Sequence, residues 1–142
     1  MKRGLVATAT ATIETPVSSV WEALVNPETI RQYMFGTTVS SDWRPGSAIT
    51  WAGEWQGRKY EDRGTITRIQ PGRLLEYTHY SPLSGLPDVP GSYHTVTIEL
   101  EDLGGRTEVR LSQDNNATEE ARQHSEKNWA AMLDGMKALL ES

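Results

Sequence analysis

The chain has 142 residues, a formal net charge of −5 and no cysteine, a length that accommodates one domain with a real core. Without cysteine there is no disulfide framework, thiol nucleophile or zinc–thiolate site. Its acidic balance without a Lys/Arg cluster argues against nucleic acid or an anionic membrane surface as partner, and no apolar run approaches the roughly 20 residues needed for membrane insertion.

In chain order, Leu5 to Thr15 is rich in Val, Thr and Ile and reads as a first strand. Thr15-Pro16 predicts a helix start, with a capping hydroxyl followed by proline at the first helical position. Val17, Val20, Trp21, Leu24 and Val25 form that helix's apolar stripe. Asn26-Pro27-Glu28 repeats the device, so a second short helix runs to about Tyr33 or Met34, and Phe35-Gly36 ends it. Strands follow at Thr37–Ser41, Ala48–Trp55, Lys59–Ile69, Leu74–Tyr80, Ser92–Glu101 and Thr107–Gln113. Turns at Trp43–Gly46, Gln56-Gly57, Gln70–Gly72 and Leu103–Gly105 separate most of them and predict antiparallel hairpins. His94, Val96, Ile98 and Leu100 alternate with Tyr93, Thr95, Thr97 and Glu99, so one sheet face is buried and the other wet.

Thr118 to Glu141 predicts a single amphipathic helix of roughly 36 Å. Trp129, Met132, Leu133, Met136 and Leu140 recur on one face. Asn116 or Thr118 caps its start, and Glu119 and Glu120 suit the positive end of its dipole. A helix this long is buried only if a wide, curved sheet wraps around it. In its first half the same face carries Ala121, His124, Ser125 and Asn128. That half either lines a cavity or its mouth, or frays into solvent.

Ser81 to Gly91 (SPLSGLPDVPG) joins two strands that should pair, yet is longer than a hairpin needs. It reads either as a gate over a site or as a stiff surface decoration.

The order of strand, V-shaped helix pair, antiparallel strands and long terminal helix resembles the helix-grip architecture of the START-like superfamily. Within it the chain is similar to small bacterial relatives of the activator of heat-shock-protein-90 ATPase family. The resemblance rests on Ile13–Leu24, on Trp43-Arg44-Pro45-Gly46, on Gly64-Thr65-Ile66 through Pro71-Gly72-Arg73-Leu74, and on Asn128-Trp129 to Leu140-Glu141. It implies an α+β fold in which a curved antiparallel sheet of about six to seven strands grips the C-terminal helix, as a single domain over residues 1–142. Tyr77-Thr78-His79 departs from the family's usual Tyr-Thr-Trp. The separate N-terminal domain that serves the co-chaperone role in eukaryotic members has no counterpart here, so that role is not carried over.

The resemblance further implies an apolar cavity between sheet and helix that binds a small, mostly hydrophobic molecule. Five Trp and five Tyr against one Phe fit a semi-polar pocket, because their N–H and O–H groups seek partners when buried. The expected ligand-binding residues are Tyr33, Phe35, Trp51, Trp55, Tyr77, His79, His94, Val96, His124, Asn128 and Met132. Trp51 and Trp55 share a strand face with Gly53, which leaves room for a ligand or for the helix; Glu54 falls on the opposite, solvated face. By strand parity His79 and His94 point inward, and His94 is the expected polar anchor. The histidines lack the tight spacing of a metal site, and the carboxylates are scattered singly. No cofactor, metal or catalytic residue is therefore assigned.

Two other classes stay open. A cyclase, hydrolase or isomerase would use the same pocket and needs a group with a shifted pKa facing it; a buried His–carboxylate pair would favour that class. A chaperone-binding or dimerising module, including a homodimer, would show a filled interior and an exposed apolar patch. The N-terminal Met1–Thr8 lacks the apolar stretch of a signal peptide, so cytoplasmic residence is expected.

Overall fold

The computed structural model describes residues 4–142, except the Trp55 side chain. Seven strands, β1 (Leu5–Ile13), β2 (Thr38–Ser41), β3 (Ala48–Trp55), β4 (Arg58–Gln70), β5 (Leu74–His79), β6 (His94–Asp102) and β7 (Thr107–Asn116), form one sheet. Its order is β1-β7-β6-β5-β4-β3-β2, with every neighbouring pair antiparallel. Helices α1 (Val17–Val25) and α2 (Pro27–Tyr33) follow β1, and α3 (Glu119–Glu141) closes the chain. This is the helix-grip α+β arrangement that the sequence implies.

Local chemistry explains the elements. Gln56 and Gly57 both take positive φ, 50° and 78°, the twist that a two-residue hairpin requires. The Asn26 side chain accepts from the backbone of Glu28 and Thr29, and the Thr118 hydroxyl accepts from the Ala121 N–H at 3.0 Å. These are the N-caps of α2 and α3. At α1 the outcome differs. Pro16 itself is the capping residue, without a side-chain cap bond. The Thr15 hydroxyl instead donates to the Leu140 carbonyl at 3.1 Å. It ties the entry of α1 to the end of α3.

The long helix is held along the free edge of β1. The backbone N–H groups of Thr8 and Glu14 donate to the carboxylates of Glu126 and Glu141. The Lys137 ammonium donates to the Thr12 carbonyl. An exposed edge strand is a template for unwanted pairing, and here side chains of α3 occupy it. Ala7, Ala9 and Ala11 alternate along β1 with little bulk, so the helix can lie close. Met132, Leu133 and Met136 of α3 are buried with Val20, Leu24, Ile98, Val109 and Leu111 in one core.

Gly64 sets the geometry of β4 against β5. A Cβ there would stand 1.7 Å from the Thr78 carbonyl oxygen, so the two backbones approach as only glycine allows. The pairs Ile66↔Tyr77 and Arg63↔Tyr80 share one register, which puts Gly64 opposite His79.

Candidate functional site

A cavity of about 640 Å³ opens at one end of the concave sheet face. Strands β3, β4 and β5 supply Trp51, Glu54, Tyr60, Asp62, Tyr77 and His79. The segment after α2 supplies Met34, Phe35 and Thr37, the loop after β5 supplies Ser81 and Leu83, and α3 supplies Trp129. The volume suits a small organic molecule.

The aromatic side chains are individually fixed. Trp51 packs on Tyr77, ring centroids 5.1 Å apart, and on His79 at 5.0 Å. The Trp129 indole N–H donates to the buried Gln113 side chain. Tyr60 lies over Gly53, its cross-strand partner, with its hydroxyl 2.5 Å from where a Cβ would stand. That hydroxyl is hydrogen-bonded to Thr37 Oγ1 at 2.7 Å. The space expected beside Gly53 is thus filled by Tyr60. Burial pushes the Tyr77 phenol well above its ordinary pKa. It does the same to Tyr33, with Tyr77 as a lesser contributor; the Tyr33 hydroxyl donates to the Ala23 carbonyl at 2.8 Å.

The polar feature of the wall is a pair. His79 Nε2 lies 2.9 Å from Asp62 Oδ2, with 28% and 17% of the two side chains exposed. His79 reaches Asp62 diagonally because Gly64, directly opposite, has no side chain. The other carboxylate oxygen, Oδ1, is shut off from solvent and has no hydrogen-bond partner among the described residues.

Phe35 is 81% exposed and takes a positive φ of 56°. It stands at the mouth with Leu83. The loop carrying Leu83 is pinned rather than loose. The Tyr80 hydroxyl donates to the Leu86 carbonyl, and Asp88 accepts from Arg63 and from the Tyr93 hydroxyl. Hydrogen bonds from Tyr93 and Arg63 hold the Asp88 carboxyl below its ordinary pKa.

Of the residues expected to bind a ligand, the structure brings Phe35, Trp51, Tyr77 and His79 into the wall. Tyr33 and Met132 lie beneath it, around a residual void of about 20 Å³. Val96 is buried in the core. His94 is not in the lining: its Nδ1 is bonded to the Asp114 carbonyl at 2.8 Å, and its ring stands 6.4 Å from that of His79. Asn115, next to Asp114 in β7, takes a positive φ of 60°. His124 and Asn128 are exposed on α3, and His124 borders a separate surface depression. In the first half of α3, His124 and Asn128 thus face solvent, while Glu126 is bonded to β1 and Ser125 to Asn116; among the described residues of α3, Trp129 borders the cavity. The Trp55 side chain lies outside the described residues.

Tyr60, Asp62, Thr37 and Trp129 were not among the expected site residues. Tyr60 and Asp62 alternate with Gly64 on β4, a parity signal that identifies their face once register is known. Glu54, expected on the wet face, is exposed yet also contributes to the rim.

The model of the Activator of Hsp90 ATPase homolog 1-like protein family matches residues 14–141. The chain belongs to that family. It is 54% identical to ChR145 from Cytophaga hutchinsonii, with 99% of this chain and 97% of that one covered at a TM-score of 0.86. The Aha1 dimer from Colwellia psychrerythraea is similar at 18% identity, with 96% of each chain covered and a TM-score of 0.74. DynU16, a putative protein in the dynemicin biosynthetic locus, is 15% identical at a TM-score of 0.79; 96% of this chain and 47% of that one are covered. The latter two show likeness of fold. None of the curated proteins compared matches this chain. No helix among the described residues of this family member is long and apolar enough to cross a membrane.

Proposed function

We propose that this protein reversibly binds a small, mostly apolar molecule in the cavity walled by β3, β4, β5 and α3. The supporting observation is the aromatic cleft of about 640 Å³ with a single His–Asp pair in its wall. A ligand burying about 300 Å² of apolar area gains about 7 kcal/mol. Association costs consume several of these, which leaves about 4 kcal/mol or less and an affinity near the millimolar range. Native mass spectrometry of freshly purified protein should detect a co-purifying small molecule. Added apolar ligands should shift the NMR resonances of Trp51, Tyr77, His79 and Trp129. Shifts confined to the outer face of α3, around His124, would overturn the reading.

A second reading, acid–base chemistry on the bound molecule, is favoured by the Asp62–His79 contact. It predicts that the co-purifying molecule changes mass or isomeric form on incubation with the protein; recovery unchanged speaks for binding alone. Self-association, as in the Colwellia relative, would use the exposed Phe35 and Leu83 at the mouth. It would then compete with ligand, and sedimentation with and without ligand reads that competition.

A further inference from the structure

From the wall chemistry we infer that the cavity selects a cationic ligand, a protonated amine carried on an apolar body, and discriminates against carboxylates. This deepens the binding reading and rests on it. Asp62 and Glu54 contribute negative charge to the wall, and its described residues include no Lys or Arg. With His79 neutral the wall carries two negative charges, and with His79 protonated it carries a net one. Arg58, on the Asp62 face of β4 nearer the turn, is exposed and outside the lining. Lys59 stands opposite Glu54 in register and offsets part of its charge, so discrimination rests mainly on Asp62.

Asp62 is also under-compensated. His79 contacts one carboxylate oxygen, while Oδ1 is desolvated without a donor among the described residues. A buried carboxylate in that condition is costly. A cation in the adjoining cavity offsets the cost through its charge.

The rest of the wall suits the same charge. Trp51, Tyr60, Tyr77, Trp129 and Phe35 surround the space, and aromatic faces attract ammonium groups, most strongly when water is excluded. A carboxylate ligand would meet the same rings and the Asp62 charge with opposite sign. An apolar body with an ammonium head is therefore the class that satisfies both halves of the wall.

The test uses three probes with a common ring system: naphthylmethylamine, naphthylmethanol and naphthoate, titrated at neutral pH and followed by calorimetry. The amine should bind on the order of tenfold tighter than the alcohol, with naphthoate weakest. Added salt should narrow the gap between amine and alcohol. Asp62→Asn should remove most of the amine's advantage over the alcohol. Glu54→Gln, at an exposed site, should reduce the preference to a smaller extent. An amine no tighter than the alcohol, or naphthoate tightest, overturns the charge inference and leaves cavity binding intact. Failure of all three probes to bind overturns the cavity reading itself, and the inference with it.

Discussion

The Tyr60 ring occupies the space that a side chain on Gly53 would need, and its hydroxyl meets Thr37 beyond it. One residue thereby joins β4 to the segment after α2 and forms part of the cavity wall. Tyr60→Phe keeps the ring and removes the bond, so it should cost about 1 kcal/mol in chemical denaturation and leave apolar ligand affinity nearly unchanged. Trp51→Ala should do the reverse at the site. It removes the ring that contacts both Tyr77 and His79, and ligand affinity should fall tenfold or more, about 1.4 kcal/mol, in the same calorimetric titration. Retained affinity would remove Trp51 from the site. At this scale, strand parity in the sequence correctly placed Trp51, Tyr77 and His79 on the inner face. It could not find the Asp62–His79 pair, because a diagonal contact depends on the register between β4 and β5. Nor could it foresee the hydrogen bond between His94 and the Asp114 carbonyl, a contact between neighbouring strands that alternation within one strand does not reveal.

Between elements, the closest constraint is the approach of β4 to β5. At Gly64 an added methyl would meet the Thr78 carbonyl, a main-chain atom that cannot swing aside. Gly64→Ala should therefore lose roughly 2–4 kcal/mol of stability and weaken ligand binding, since the same register aligns His79 with Asp62. Unchanged thermal stability would show that the strands can separate at no cost. Gly53→Ala meets only the movable Tyr60 ring and should cost less. The joint between α1 and α3 teaches a related lesson. Thr15 before Pro16 has the pattern of a helix cap, but its hydroxyl is claimed by Leu140, 125 residues away. Local chemistry predicted the helix start correctly and its partner wrongly, because a side-chain oxygen near a chain end answers to whichever backbone group tertiary packing delivers. Thr15→Val should cost about 1 kcal/mol and increase fraying of the last turn of α3, read as faster amide exchange there.

Across the whole molecule, element order and alternation were legible because each strand carries its own period and each turn its own glycine or proline. The position of the cavity was not. The interior beneath the second half of α3 is filled by Met132, Leu133 and Met136, and the opening lies toward β3, β4 and β5. The convex face carries a separate electrostatic network whose effect reaches global stability. Glu76 accepts hydrogen bonds from Arg68, Thr67 and Thr97. Chiefly through Arg68, its pKa is lowered from 4.5 to about 2. Between those values the unfolded chain binds a proton that the folded chain does not, so stability rises with pH through this window. The contribution is complete above pH 4.5 and lost as pH falls toward 2. Because Arg68 is more than half exposed, solvent screening reduces the stabilisation to about 1–2 kcal/mol. Glu76→Gln should therefore be less stable than the unmodified protein at neutral pH, and the difference should shrink as pH falls through that window. Denaturant titrations repeated across the acid range measure it. A difference that stays constant with pH would mean that Glu76 acts through packing or neutral hydrogen bonds rather than through its charge.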